Sequence, residues 1–399
     1  RVFKCDMNKQ MRVSLNQNIV KGSDNLDIII HPSKLKDGTL KIHGHKHSFV
    51  QIVAASIILN QVCTIKNVPL VEDVFILIQI INSLGGKAYL NHHTVYINPY
   101  NIKFLPIDNG LMGKIHGSIY LIPALALRFG KLTMYKTGGC KIGSVENLTE
   151  RPHQHIEKIL KIFDFFSSKT NQKKESYCID IREFSDNKDF LSGELISSAT
   201  KIAILCSLTK NKVTILNPYL KTDVLDLLSF IKRSGYNVVT KKSCITLSNR
   251  LGNKKFNIFY TLSDCPTEII SYITMAVLNK ISLKLEVKNT FFVKKIIKEE
   301  IICLNHIGVN LKFFRKSIRI EKQDKNLLPI DIQVTHTSFQ SDHHPFFTLL
   351  LLSANGISTL TEHVWKNRFG YVEELKKLSA KIEKVGNKIT IFPSQLKTV

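Results

Sequence analysis

The residues of this sequence best suited to chemistry include a cysteine in a glycine-rich segment. Cys140 follows Gly138 and Gly139 and precedes Lys141, so it lies on a loop able to close over a ligand. A cation beside a thiol favours its deprotonation, which makes Cys140 a candidate acid in a proton-transfer reaction. An inert loop thiol is the alternative interpretation, because most free cysteines have only a structural role.

A second candidate is an aspartate that precedes an apolar segment. Asp342 comes just before Pro345–Ala354, whose composition predicts a buried helix. An aspartate in this position is usually a helix N-cap, and its carboxylate is also a candidate base, so that both roles are compatible. The neighbouring side chains of His343 and His344 are placed to tune the carboxyl group.

Further candidates lie at the predicted starts of other helices, where free backbone N–H groups favour anions. Lys46 precedes the first predicted helix and is a candidate anion-binding residue. The alternative interpretation is an ordinary solvent-exposed lysine without a ligand. Ser197 and Ser198 begin another helix, where their hydroxyl groups suit either a diphosphate or ordinary N-capping.

These residues are positioned by a repeated unit of helix, strand, helix and two strands. The first copy has predicted helices at 47–60 and 73–84, and predicted strands at 62–65, 88–90 and 95–97. Further copies open near residues 119, 197, 267 and 345, and the fourth has its second helix at 290–307. One such unit cannot bury both faces alone, so the units must pack with helices inward and sheets outward.

Five copies are found, whereas an even number packs more naturally as two equal groups. We therefore expect a sixth unit to be missing from this sequence. Residues 1–25 do not resemble it.

The amino-acid composition limits the classes of protein to which this chain could belong. The chain has 399 residues, 44% hydrophobic and 22% charged, which is typical of globular domains. Its eight cysteines include no Cys-x-x-Cys pair, which argues against a disulfide scaffold or a standard zinc finger. Reduced thiols, the lack of a signal-peptide pattern and the lack of membrane-length apolar runs predict a cytoplasmic protein without a membrane partner.

The net charge of +24 is compatible with anionic partners, and a general Lys-, Ile- and Asn-rich composition explains it as well. The basic residues are scattered singly or in pairs, without an RNA-binding signature or a basic stripe on one helix. Nucleic-acid binding is therefore the weakest of the functional hypotheses. Small phosphorylated substrates remain compatible with the charge.

Several motifs resemble those of enolpyruvyl transferases, in particular the UDP-N-acetylglucosamine 1-carboxyvinyltransferases. Residues 137–143 and 151–156 resemble the catalytic-cysteine loop of that group, and residues 118–130 resemble the approach to it. Residues 339–342 and 362–369 resemble its catalytic-aspartate and arginine segments. The likeness covers residues 27–392 in the same order.

The resemblance implies an α/β fold, a two-domain inside-out α/β barrel of βαβαββ units. We expect residues 46–262 to form the first domain, with three repeats and the cysteine loop. Residues 1–45 together with 263–399 are expected to form the second domain. The substrates would then bind in the cleft between the two.

The activity implied by the resemblance transfers the enolpyruvyl group of phosphoenolpyruvate to a hydroxyl of a uridine nucleotide, with release of phosphate. UDP-N-acetylglucosamine is the preferred acceptor. Neither a cofactor nor a metal is implied, and the oligomeric state is left open. The catalytic residues implied are Cys140, Asp342 and Lys46. The substrate-binding residues implied are Arg368, Arg151, His116, His47, Ser197, Ser198 and Asp223.

Some positions depart from the family pattern on the nucleotide side. His47 stands in place of an asparagine, His116 in place of an arginine, and residues 151–155 lack the aspartate that helps to read uracil. These changes leave open a different acceptor, such as the 3′-hydroxyl of UMP. A metal site is a further alternative, because a strand at His43, His45 and His47 would project all three from one face.

Overall fold

The computed structural model describes residues 13–15, 28–30, 34–107, 109–135, 159–163, 168–172, 176–181, 189–191, 197–241, 243–249, 257–335, 338–365 and 367–397. The helices are α1 Lys46–Leu59, α2 Glu72–Ser83, α3 Asn109–Lys114, α4 Leu121–Phe129, α5 Ser197–Ser207, α6 Thr222–Arg233, α7 Pro266–Leu278, α8 Thr290–Ile296, α9 Lys298–His306, α10 His344–Leu352 and α11 Gly370–Lys377. A 3-10 helix at His116–Tyr120 leads into α4, and residues 159–163 are helical.

The strands alternate with these helices as the repeat predicts. They are β1 Val13–Leu15, β2 Ile28–Ile30, β3 Gly38–Lys41, β4 Cys63–Lys66, β5 Lys87–Asn91, β6 Thr94–Asn98, β7 Lys131–Tyr135, β8 Ser168–Gln172, β9 Ser176–Ile181, β10 Asp189–Leu191, β11 Lys212–Leu216, β12 Asn237–Thr240, β13 Cys244–Ser248, β14 Ile258–Thr261, β15 Leu283–Glu286, β16 Leu311–Phe314, β17 Ser317–Ile320, β18 Asp331–Val334, β19 Ser358–Glu362, β20 Ile382–Val385 and β21 Lys388–Ile391.

Four sheets within the described ranges share one topology. Their orders are β14-β4-β6-β5, β10-β11-β13-β12, β3-β15-β17-β16 and β18-β19-β21-β20. In each sheet the first two strands are parallel and the remaining pairs are antiparallel. The parallel pair needs a helical crossover, and the antiparallel pair needs only a tight turn, which is the βαβαββ unit.

Two units exchange their opening strands. Strand β3 precedes α1 in the chain but pairs with β15, so that Lys41 lies opposite Glu286. Strand β14 precedes α7 but pairs with β4, so that Thr261 lies opposite Lys66. The chain therefore crosses between the two groups of units at two places, just before α1 and just before α7.

The remaining strands form a three-stranded sheet, β7-β9-β8, and a two-stranded pair, β1-β2. The first belongs to the second repeat, in which the 3-10 helix and α4 precede β7 and the helical residues 159–163 lie between β7 and β8. In the pair β1-β2, Val13 lies opposite Ile30. Among the described residues, no sixth unit with two helices and a sheet accompanies the five that the sequence predicts.

Two separate sets of buried apolar side chains form the cores. One set extends from Phe49 to Leu262, and the other combines Ile42 with residues from Ile269 to Ile391. At the centre of the first set, helix α1 is buried all along Ser48–Ile57, with Ala54 and Ala55 allowing close approach of its neighbours. Helices therefore lie inside, as expected. The division at residues 45/46 and 262/263 remains a prediction, with which these two cores are consistent.

The structure differs from the sequence-based prediction in the fourth repeat, where the predicted helix 290–307 is interrupted at Ile297. This residue has φ −111° and ψ 37°, outside the helical region, and it separates α8 from α9. Ile297 is buried in the second core. Because the apolar periodicity continues through the break, the sequence pattern did not predict that the helix would be interrupted at Ile297. None of the described helices has both the length and the apolar character needed to cross a bilayer.

Candidate active site

A cleft that is open to solvent lies between the two cores. The residues that line it from the first core are His45, His47, His116, Tyr120, Ser198, Lys201, Tyr219, Lys221, Thr222 and Asp223. Those that line it from the second are Pro266, Thr267, Thr335, Gln340, Ser341, Asp342, Val364 and Trp365. Both groups of units thus contribute to a single cleft.

The cleft is built from the amino-terminal ends of helices. The starts of α1, α5 and α6 reach it from one side, and the starts of α7 and α10 reach it from the other. Unpaired N–H groups and the helix dipole make each of these ends favourable for negative charge. Because the repeated unit places every such helix in the same sense, their combined effect prepares the cleft for anionic ligands.

A buried ion pair forms the floor of the cleft on the first-core side. The Nζ of Lys201 donates to Oδ2 of Asp223 at 2.7 Å, and Nε2 of Gln51 donates to the same oxygen at 3.2 Å. Burial alone would raise the pKa of Asp223, but the charge of Lys201 and its hydrogen bond hold that pKa well below its usual range. The pair joins α5 to α6.

Burial disfavours the charged forms of two histidines and a lysine that lie beside this ion pair. Burial lowers the pKa of both His45 and His47, more strongly for His47, so both rings are neutral at neutral pH. Burial also lowers the pKa of Lys221, whereas the charge of Asp342 opposes that shift. Lys221 lies 5.2 Å above the ring of Tyr219.

Asp342 and Arg368 meet at the cleft on the second-core side. The guanidinium group of Arg368 donates to the carboxylate of Asp342. Partial desolvation would raise the pKa of Asp342, but the positive charges of Lys221 and Arg368 lower it to about 2. Asp342 is therefore ionised at neutral pH, with 54% of its side chain exposed.

Three polar atoms in the cleft wall lack a protein partner among the described residues. They are Oγ of Ser198, Oγ1 of Thr222 and Nδ1 of His45. A buried polar atom left without a hydrogen bond is costly, so these atoms indicate a ligand or ordered water in the cleft.

The structure brings most of the described site predictions together. His47, His116, Ser198, Asp223 and Asp342 line the cleft. Arg368 contacts the last of these. Ser197 begins α5. Cys140 and Arg151 lie outside the described residues, so their placement remains a prediction.

Lys46 is placed differently from the other predicted site residues. It is the first residue of α1, and its Nζ lies 3.3 Å from Oδ2 of Asp73. Its side chain is 44% exposed and does not line the cleft. The ammonium group would have to leave Asp73 before it could contact a substrate there.

Two local expectations were wrong. The N-cap of α10 is His343, not Asp342, and the carboxylate of Asp342 contacts Arg368 instead. The alternating histidines do not lie on a strand, because α1 begins between His45 and His47. His43 instead contacts Glu268 at 2.9 Å and stacks on His93. The described residues contain no cluster of three or more side chains suited to bind a metal.

The sequence reasoning missed Lys201, Tyr219 and Lys221. A signal for Lys201 was present, because it is the single charged residue within the apolar segment that forms α5. A lysine in such a segment must be paired or functional when it is buried. Lys221, in contrast, precedes a helix on an ordinary polar segment and gave no such signal.

Comparisons with known proteins point to one family. The model of the family described as EPSP synthase (3-phosphoshikimate 1-carboxyvinyltransferase) matches residues 30–399. The UDP-N-acetylglucosamine 1-carboxyvinyltransferase of Wolbachia pipientis is 26% identical over 370 residues, covering 89% of this chain and 82% of that protein. A protein named UDP-N-acetylglucosamine 1-carboxyvinyltransferase 3, from Caldanaerobacter subterraneus, is 28% identical over 370 residues, with 91% and 84% covered.

Solved structures show the same fold. The enolpyruvyl transferase NikO of Streptomyces tendae superposes with a TM-score of 0.80 at 22% identity, covering 90% of this chain and 82% of that one. EPSP synthase from Acinetobacter baumannii gives 0.63 at 14% identity, with 96% and 84% covered. With its family match and its two-domain α/β fold, the chain belongs to the EPSP synthase family of enolpyruvyl (1-carboxyvinyl) transferases.

Proposed function

We propose that this enolpyruvyl transferase acts on UDP-N-acetylglucosamine, a reaction of peptidoglycan synthesis, in the cytoplasm. The observation that carries the proposal is the Asp342–Arg368 pair, which faces the cations Lys201 and Lys221 across a cleft lined by helix amino-terminal ends. A phosphate, a carboxylate and an acceptor hydroxyl can all be accommodated by this combination of charges. Both proposed substrates are anions.

The reaction proceeds by addition and elimination. The acceptor oxygen bonds to C2 of phosphoenolpyruvate, a proton is added to C3, and the hydroxyl proton goes to a base. C3 then loses a proton as the bond from C2 to the phosphate oxygen breaks. The products are the enolpyruvyl ether and inorganic phosphate.

Asp342 is the proposed base, and its pairing with Arg368 sets its strength. With a pKa of about 2 the carboxylate is ionised but weakly basic. When the carboxylate of phosphoenolpyruvate takes the guanidinium group of Arg368, Asp342 loses a cationic partner and gains a nearby anion. Both changes raise its pKa, so that substrate binding activates the base.

Other roles are carried over from the family resemblance. Cys140 is proposed to deliver the proton to C3, and Arg151 to hold substrate phosphate. Lys46 is proposed to contact both substrates after leaving Asp73. Ser198 is proposed to donate to a phosphate of the nucleotide, which would satisfy its Oγ.

The relatives' names support UDP-N-acetylglucosamine as acceptor. UMP is the second candidate, and His116 favours it. His116 lines the first-core wall of the cleft, at the position where the family pattern has an arginine. An imidazole offers fewer N–H donors to a diphosphate than a guanidinium group does.

The experiment is phosphate release from phosphoenolpyruvate by the purified full chain, with each acceptor in parallel. Release with UDP-N-acetylglucosamine supports the proposal, whereas release only with UMP replaces the acceptor. Absence of release with both contradicts both acceptors. Cys140→Ala should abolish turnover, and Lys376→Ala, which removes an exposed ion pair with Glu373, is the matched control.

A further inference from the structure

The segment that carries Asp342 is held by two buried glutamates from other parts of the second core. Glu300 comes from α9, and Glu362 is the last residue of β19. Both side chains are almost completely buried, at 1% and 0% exposed. Neither glutamate lines the cleft.

The side chain of Glu300 hydrogen-bonds to a residue that precedes Asp342 and to a residue that follows it. Its Oε1 accepts the backbone N–H of Gln340 at 2.9 Å and the ring Nδ1–H of His343 at 2.7 Å. The other nitrogen of the ring, Nε2, lies 3.2 Å from Oγ1 of Thr267, which is a cleft residue on α7. The His343 side chain thereby links α9 to α7 beneath the cleft.

Glu362 makes a looser bridge with the neighbouring residues. Its Oε2 accepts from Oγ of Ser341 at 2.5 Å and lies 3.5 Å from Nε2 of His344, which makes no hydrogen bond to a described residue. The other ring nitrogen of His344, Nδ1, lies 2.9 Å from the hydroxyl oxygen of Tyr371. Its Oε1 accepts the backbone N–H groups of Val364 and Trp365, at 2.6 and 3.1 Å. The loop that leads to Arg368 is therefore fixed by the same carboxylate.

The two glutamates thus contact residues on both sides of Asp342. Glu300 hydrogen-bonds to Gln340 and His343, whereas Glu362 hydrogen-bonds to Ser341 and lies beside His344. The Asp342 side chain between them is the part left exposed to the cleft. Burying two carboxylates and two histidines at the start of a helix costs desolvation free energy. A single serine or threonine N-cap would satisfy the helix.

We propose that Glu300, His343, Glu362 and His344 form a clamp of positioning residues that fixes the carboxylate of Asp342 and the approach to Arg368. The inference rests on the proposed role of Asp342 as base. The clamp residues do not touch substrate. Their effect is on the orientation of the reacting carboxylate, on which proton transfer depends steeply.

The kinetic test compares Glu300→Gln and Glu362→Gln with the wild-type chain in the phosphate-release assay. A displaced base should lower kcat by about 10- to 100-fold, with the KM for phosphoenolpyruvate changed by less than about threefold. His343→Phe should do the same. His343→Asn should recover much of the rate, because its amide can occupy the place of Nδ1 and still donate to Glu300.

Leu304→Ala is the matched control for stability. Leu304 is fully buried on α9, the helix of Glu300, and its apolar side chain cannot hydrogen-bond to the clamp residues. The variant should melt at a lower temperature with kcat within about twofold of the wild type. Clamp variants that lose no more rate than Leu304→Ala at equal loss of stability would overturn the proposal.

Hydrogen exchange provides a readout that does not depend on turnover. In Glu300→Gln the amides of Gln340 and His343 should exchange at least about tenfold faster, while those of β15 remain as in the wild type. Unchanged exchange at these two amides would also overturn the clamp. Faster exchange in a chain that releases no phosphate with either acceptor would keep the clamp and reject the proposed function.

Discussion

At the scale of single residues, the chemistry of the cleft is governed by how its charges are paired. Asp342 has a cation on each side, Arg368 from its own core and Lys221 from the other, and its pKa is about 2 as a result. Asp223 is paired more deeply, with Lys201. One carboxylate is exposed and able to change partners, and the other is buried and fixed. The exposed one is suited to catalysis and the buried one to structure.

This difference predicts the effect of changing Asp342. Asp342→Asn keeps the shape of the side chain but removes the base, and we expect kcat to fall by about 10²- to 10⁴-fold. The melting temperature should change little, because the side chain is more than half exposed and its ion pair is partly solvated. Phosphate release and thermal unfolding measure the two effects. An unchanged rate would remove Asp342 from the mechanism.

Asp223 should behave in the opposite way. Asp223→Asn leaves the ammonium group of Lys201 buried without its counter-ion, and we expect a loss of about 3–5 kcal/mol in unfolding free energy. The double variant Lys201→Met with Asp223→Leu should lose less, since no charge is left unpaired. Denaturant unfolding measures both. A double variant as unstable as the single one would contradict the interpretation that the unpaired ammonium group of Lys201 causes the loss of stability.

The pH range of this effect follows from the two pKa shifts. The pKa of Asp223 is lowered on folding, so its contribution is present above its unfolded value of about 3.9 and is lost as the pH falls through the folded value. The pKa of Lys201 is raised, so its contribution is complete below about 10.4 and is lost at higher pH. The stability difference between wild type and Asp223→Asn should therefore be constant from about pH 5 to 9.

At the scale of the elements, local pattern predicted the helices and strands well but not their partners. The spacing of apolar residues located α1, α5 and α7 to within about two residues. It did not show that β3 and β14 exchange places, because that pairing depends on contacts between distant parts of the chain. Asp342 and Lys221 both line the cleft, but only Asp342 lies in a motif that singled it out from the sequence.

Helix packing also explains a glycine beside a predicted site residue. Gly117 follows His116 in the 3-10 helix that packs against α1, and a Cβ there would lie 3.0 Å from Cγ2 of Val50. Such a contact requires the Val50 side chain on α1, or the 3-10 helix, to give by a few tenths of an ångström. The first residue of that helix lines the cleft, so a shift affects the site as well as the core.

Gly117→Ala should therefore destabilise the fold by about 1–3 kcal/mol, and Val50→Ala in the same chain should relieve part of the strain. A double-variant cycle of denaturant unfolding measures the coupling. Gly113→Ala is the control, because a Cβ at Gly113 meets no atom within 4 Å. Equal effects of the two glycine substitutions would show that close packing is not the cause.

At the scale of the whole molecule, the two cores are connected by two chain crossings that pair with each other. Gly44 and Asp264 form an antiparallel bridge, with His45 N–H donating to Ser263 at 3.1 Å and Cys265 N–H donating to His43 at 2.9 Å. The crossings lie immediately before α1 and α7, and the cleft is lined by His47 of α1 and by Pro266 and Thr267 of α7. The geometry of the cleft is thus linked to the way the chain passes between the cores.

Gly44 is the residue on which this arrangement depends most. A Cβ at this position would overlap the carbonyl oxygen of Asn67 and would lie 2.6 Å from Cβ of Leu262. Both obstacles belong to fixed parts of the first core, so the crossing itself must move. Gly44→Ala should cost at least about 1–3 kcal/mol of stability. It should also reduce kcat, because His45 and His47 move with the crossing.

Gly38→Ala is the matched control, since it lies on β3 in the same amino-terminal passage and a Cβ there meets nothing closer than 3.9 Å. Phosphate release, measured well below the melting temperature of each variant, separates a displaced site from an unfolded chain. We expect the rate per folded molecule to fall for Gly44→Ala and to stay at the wild-type value for Gly38→Ala. If Gly44→Ala kept the full rate per folded molecule, the crossings would connect the cores without setting the geometry of the cleft.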